Sequence, residues 1–290
     1  RYMKTIKHKA ACTDFIEEML PSTRKELFFD VLKNHYTDLI KIGLLLLLFL
    51  IPFFIVLVLQ DVMLLNVNQL YNQKEIDLTT YKANVLTIQF YTSIFEIPAL
   101  IIFSFGFSGI LKLLKEYSFQ EPVFFKHDFC NSIKENSKTF LLTGLILAII
   151  LLVSKWLLIF ITNPFIAYGQ IGISFVIYIP IILLFLTASI SYNGNKMMIL
   201  RSSCELYAKT FPSTILLIVI VFFPILLLLI PQTILKYALL LICVIIILPI
   251  TLFIWVLYSN YIFDKYVNSY FHIEVVNKGL YSKKKWGNYE

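Results

Sequence analysis

Charge is what this sequence has least of. Asp, Glu, Lys and Arg make up 15% of its 290 residues, against roughly 25% in an ordinary soluble domain. Apolar residues reach 59% and mean hydropathy is +0.79. So little polar surface cannot cover such a core in water, which excludes a soluble enzyme of this length. The same hydrophobicity excludes disorder. Nine Gly and ten Pro exclude a collagenous or low-complexity chain. The four cysteines, Cys12, Cys130, Cys204 and Cys243, have no C-x-x-C spacing and no nearby histidine cluster, so they read as free thiols. His8, His35, His127 and His272 lack a histidine partner at i+3 or i+4, which argues against a helical metal site. There is also no G-x-x-x-x-G-K-[ST] loop and no G-x-S-x-G elbow. No catalytic residue, cofactor or metal is therefore expected, and the chain is read as non-enzymatic.

What the sequence does hold is long apolar runs, such as Leu44 to Leu59 and Ile215 to Ile230. A lipid-facing barrel would show alternating segments of about 10 residues. Continuous runs instead read as helices, because in lipid each backbone N–H and C=O must be satisfied within its own segment. Six spans are expected at 40–59, 90–111, 139–161, 167–190, 213–230 and 236–258. The fold class is thus an all-α integral membrane protein, six transmembrane helices in three hairpins.

Basic residues alternate from side to side. Of the 25 Lys and Arg, 21 fall in segments 1–41, 112–138, 192–212 and 259–290, while only Lys74, Lys82 and Lys236 fall in the opposite connections. The positive-inside bias then puts both termini in the cytoplasm of a multi-pass cell-membrane protein. The surplus of +7 lies wholly on that side, where anionic inner-leaflet lipid selects it. A nucleic-acid partner is not needed to explain it.

Three regions follow. Residues 1–39 form a cytoplasmic amphipathic segment, 40–258 the membrane domain, and 259–290 a basic cytoplasmic tail. Amphipathic cytoplasmic helices are expected before spans 1, 3 and 5, at 25–38, 127–138 and 196–209. The outer segment 60–89 contains no Gly or Pro, and its apolar residues recur at helical spacing. It is expected to form one or two helices lying on the outer face. Pro52, Pro98, Pro180, Pro224 and Pro249 interrupt five spans. Each is a kink position, a fixed bend in most bundles and a hinge in some transporters.

Only two ionisable residues lie well inside the expected spans, Glu96 in span 2 and Lys155 in span 3. A charge at mid-bilayer costs about 2.5–3.5 kcal/mol on insertion scales. Both sit about six residues in from the outer end of their spans, so they are candidates for an ion pair. The alternative has Lys155 reaching outward beside Trp156. Ser104, Ser108, Ser189, Ser191, Tyr192 and Asn193 are the residues that would line a neutral-solute path.

The tail reads Phe263-Asp264-Lys265-Tyr266, then Lys278-Gly279-Leu280-Tyr281. This is similar to the C-terminal pattern of YesL-like membrane proteins, and the stretches leading into spans 3 and 5 resemble that family as well. The outer segment 60–89 departs from the family pattern. The resemblance implies a multi-span domain of undetermined activity, encoded beside carbohydrate ABC importers, and so an accessory or scaffold role with importer subunits as partners. Segment 196–212 has Glu205 but neither the paired alanines nor the glycine of a permease coupling motif, which argues against the chain being the permease. An autonomous small-solute transporter or channel is the alternative. The last cluster, Lys283, Lys284, Lys285 and Trp286, is expected to hold the tail to the membrane surface or to a partner.

Overall fold

The computed structural model describes residues 20–161 and 164–281. Among the described residues every regular element is a helix. A short helix, α1 (Arg24–Asn34), opens the fold. Six helices long and apolar enough to cross a membrane follow: α2 (Tyr36–Asn72), α3 (Leu78–Ser118), α4 (Phe125–Phe160), α5 (Tyr168–Ser191), α6 (Lys196–Leu229) and α7 (Thr233–Phe271). The protein is therefore an all-helical membrane protein with six membrane-spanning segments.

The sequence Thr23-Arg24-Lys25-Glu26 starts α1 as a capping box would. Thr23 Oγ1 accepts from the Glu26 N–H at 3.2 Å, and Glu26 accepts from the Ser22 N–H at 2.9 Å. Leu27 and Val31 turn inward and are buried. Phe28 stacks on Phe253 of α7 with ring centres 6.3 Å apart.

Burial alternates along the chain. Half of the most apolar window is buried in α3, α5 and α7, against 17–22% in α2, α4 and α6. The second helix of each hairpin thus lines the centre, and the first faces outward. Trp255, Phe253 and Phe263 of α7, Phe140 of α4 and Leu113, Leu114 and Leu184 are fully buried. The exposed Leu, Ile and Phe of the outward helices are what a lipid solvent requires.

Residues 60–89 differ from expectation. They do not form separate helices, because α2 and α3 run on through them as one long hairpin. At 1.5 Å per residue these helices are about 55 and 60 Å long, well beyond a hydrocarbon core of about 30 Å. With no Gly or Pro to stop it, the helix continues past the apolar run. The turn comes where Lys74 adopts φ +61° and Asp77 caps α3 by accepting from the Thr80 N–H at 3.1 Å. Tyr71 and Tyr81 pack across the hairpin at 4.7 Å, and the Tyr81 hydroxyl donates to Asn68 at 2.8 Å.

The stretches at 127–138 and 196–209 are likewise continuous with their spans, as the first turns of α4 and α6. Only the stretch before span 1 is a separate helix. Within Lys196–Phe222, α6 departs from helical geometry at Thr210 (φ −120°, ψ 15°), two residues before Pro212.

The prolines act in two ways. Pro52 and Pro98 lie inside unbroken α-helix. Pro180 and Pro249 follow π turns at Ser174–Tyr178 and Cys243–Ile247, and Pro224 stands in the first turn of a 3₁₀ stretch at Phe223–Leu229. A proline leaves the carbonyl four residues earlier without its helical donor. For Pro180 that is the carbonyl of Val176, and it accepts from the Tyr207 hydroxyl of α6. For Pro249 it is the carbonyl of Ile245, which lies against Gly43 of α2 so closely that a Cβ there would clash with it. At Pro180 a neighbouring helix thus satisfies the freed carbonyl, and at Pro249 one packs against it.

Candidate functional site

Charged side chains pair at the two ends of the bundle. At the end remote from α1, the structure brings Glu96 of α3 and Lys155 of α4 into an ion pair. The Glu96 side chain is 5% exposed and that of Lys155 39%. Beside them Trp156 donates to Ser93 Oγ at 2.9 Å and stacks on Phe90. The lysine pairs inward while part of its length remains open, so pairing and outward reach coexist.

A second pair at this end was not read from the sequence. Lys236 of α7 pairs with Asp61 of α2, which also accepts from the Tyr237 hydroxyl at 2.9 Å. Both residues stand at the edges of the expected spans, where connecting-loop charge is usually assigned. Their equal depth at the outer ends of spans 1 and 6 was the available signal. The two pairs join α2 to α7 and α3 to α4.

The end that carries α1 is built around Asp264, the acid of the tail motif. It receives Arg24 of α1 in an ion pair with both side chains largely buried, at 14% and 11% exposure. Asn268 donates to it at 2.7 Å, and the Asn277 N–H at 3.1 Å. Asn268 in turn accepts from the Tyr192 hydroxyl at 2.7 Å. Burial pushes the Arg24 guanidinium below its ordinary range, and Asp264 opposes that shift.

The second half of the motif closes the structure. Lys278 pairs with Glu121. Gly279 adopts φ +82° and lies against the Phe119 backbone, where a Cβ would meet Ser118 O and Phe119 Cα at 2.9 Å. Only glycine satisfies both conditions without strain. The Tyr281 N–H donates to Pro21 O at 3.0 Å. Segments some 260 residues apart in sequence are thereby tied together. Asn260 adds a buried bond to Ser118 at 2.7 Å.

Two lysines at the same end serve helix α5. Lys115 donates to Ile190 O at 3.3 Å and Lys196 to Ser189 O at 3.4 Å. Cations at a helix C-terminus meet its unpaired carbonyls and complement the dipole. A cavity of about 250 Å³ opens beside them, lined by Lys115, Tyr192, Asn193, Asn260 and Asn268 among others.

The serines proposed for a solute path mostly turn to helix backbone. Ser104, Ser108 and Ser191 donate to Ile101, Phe105 and Thr187 carbonyls at 2.8, 3.1 and 3.0 Å. Ser189 Oγ is buried without a partner. Among the described residues, no group of three or more His, Cys, Asp or Glu is placed to hold a metal ion. Cys130 and Cys204 are exposed and Cys243 is buried, all as free thiols. Lys283, Lys284, Lys285 and Trp286 lie outside the described residues.

Comparison with protein-family models, with curated proteins and with solved structures finds no match to this chain.

Proposed function

We propose that the chain is a non-enzymatic accessory or scaffold component of the cell membrane, with both termini cytoplasmic, working through the end that carries α1. The observation that carries this reading is a set of exposed apolar side chains at the α1-side ends of α6 and α7, outside the apolar runs 213–230 and 236–258. Met197, Met198, Tyr270, Phe271 and Ile273 are each 70–76% exposed, and the last three flank His272, whose ring stacks on Tyr192. Exposed apolar patches rimmed by polar groups mark interaction surfaces. The buried pairs of the bundle support the same reading, since their polar atoms face one another and leave the chemistry of contact to the surface. The charge bias supports the orientation, and anionic inner-leaflet lipid is the first partner. The tail's resemblance to YesL-like proteins directs the protein partner toward subunits of a carbohydrate ABC importer.

The test is affinity purification of the full chain from native membranes in mild detergent, with quantitative mass spectrometry. Recovery of importer permease or ATPase subunits near one-to-one is the expected result. Recovery of the chain alone, together with solute flux in liposomes that contain only this protein, would replace the scaffold reading by that of a transporter.

A further inference from the structure

A groove of about 580 Å³ runs between α1, α6, α7 and the tail. Its floor is apolar, with Phe28, Leu217, Ile254, Leu257 and Leu280. Its mouth carries Arg24 and Lys25, and Lys25 is solvent-exposed. Arg24 engages Asp264 through Nη2, while its Nη1 is buried with no hydrogen-bond partner. A buried guanidinium N–H left unpaired costs more than an ordinary hydrogen bond returns, so it calls for an acceptor. The groove therefore combines an apolar lining with one unmet charged donor and, among the described residues, an exposed lysine that makes no ion pair.

We propose that this groove is a binding site for an anionic glycerophospholipid, with one acyl chain along Leu217, Ile254, Leu257 and Leu280 and the phosphate at Lys25 and the Arg24 guanidinium. Charge complementarity selects the occupant. A zwitterionic lipid offers the same chain, but its headgroup adds a cation beside two basic side chains. A free phosphate lacks the chain that fills the slot. The acids near this mouth are already engaged, Asp264 by Arg24, Asn268 and Asn277, and Glu26 by Ser22 and the α1 cap, so they leave the phosphate little competition. The site also gives the tail a reason to close where it does, since Asn277 and Leu280 form one wall. The proposal stands independently of the accessory role.

The experiment is native mass spectrometry of the full chain in detergent, with phosphatidylglycerol and phosphatidylcholine of identical dioleoyl chains added in turn. Wild type is expected to retain phosphatidylglycerol at least five-fold better. Lys25→Gln removes one exposed cation without touching the Arg24–Asp264 pair, and is expected to lower that preference several-fold. Ile254→Trp fills the slot and is expected to remove the first tightly held lipid of either type. Glycerophosphate, which has the headgroup charge without chains, is expected not to displace the lipid; displacement would make this a phosphate site and overturn the proposal. Equal retention of the two lipids by wild type, or a preference unchanged in Lys25→Gln, would also overturn it. A melting temperature close to wild type for Lys25→Gln keeps those outcomes interpretable.

Discussion

The two ends of the bundle handle charge differently. At the remote end the contacts are pairwise, Glu96 with Lys155 and Asp61 with Lys236, each joining two neighbouring helices. At the other end Asp264 gathers α1, the end of α7 and the tail in one connected set. A pairwise contact resists the sliding of two helices. A multi-centre contact fixes where whole segments end, and so shapes a surface. The difference teaches that charge near the membrane has two separate uses here, bracing at one end and surface-building at the other.

The largest effect is expected from Asp264→Ala. It leaves Arg24 buried without its carboxylate, a loss of about 3–5 kcal/mol for a broken buried pair. Melting in detergent should show the destabilisation, and limited trypsin digestion should show faster cleavage after Lys278. If the tail stays protected, the surface-building role is wrong.

Gly43→Ala comes next. The new methyl meets the Ile245 carbonyl of α7 directly, and backbone cannot yield as a side chain would. Overpacking of this kind costs about 1–3 kcal/mol. A matched melt of Gly172→Ala, at a position with open space around it, should show little change and separates packing from helix propensity.

Glu96→Gln sharpens the comparison at the remote end. Lys155 is more than one-third exposed, so water and headgroups screen much of the loss, and about 1 kcal/mol is expected. Adding Lys155→Met should restore most of the melting temperature. A loss as large as that of Asp264→Ala would erase the distinction between the ends.

The smallest effect is a pH dependence at the tip of the α2–α3 hairpin. Hydrogen bonds from Thr79 and Thr80 hold the Asp77 carboxyl down at about 2, below its ordinary value near 3.8. With the folded value depressed, its contribution is complete above about pH 4 and is lost as pH falls through 2. An NMR titration of the Asp77 carboxyl carbon checks this. A midpoint near 4 would mean that the cap does not form.

Much of this was legible in the sequence. Six apolar runs gave six spans, because lipid leaves the backbone few alternatives. Equal depth brought Glu96 and Lys155 together on the page before it did in space. Residues 60–89 depart from expectation because hydropathy reports where lipid ends, whereas a helix ends only where a turn or cap stops it. The stretches before spans 3 and 5 merged into those spans for the same reason. The Asp61–Lys236 pair is hard to see in the sequence because charges at span edges look like ordinary loop charges. The Asp264 cluster depends on contacts between residues 240 apart, which no local pattern encodes. The tail motif did mark its members, Asp264, Lys278 and Gly279, but as a likeness and not as a geometry.

The most direct test of the account compares the two ends in native membranes. A photo-crosslinking residue placed at Phe271, one of the exposed apolar residues at the α1 end, and another at Tyr91, near the remote end, would report what each end touches. The account predicts adducts with importer subunits from position 271 and only lipid or self adducts from position 91. Protein adducts from position 91 with none from 271 would contradict it.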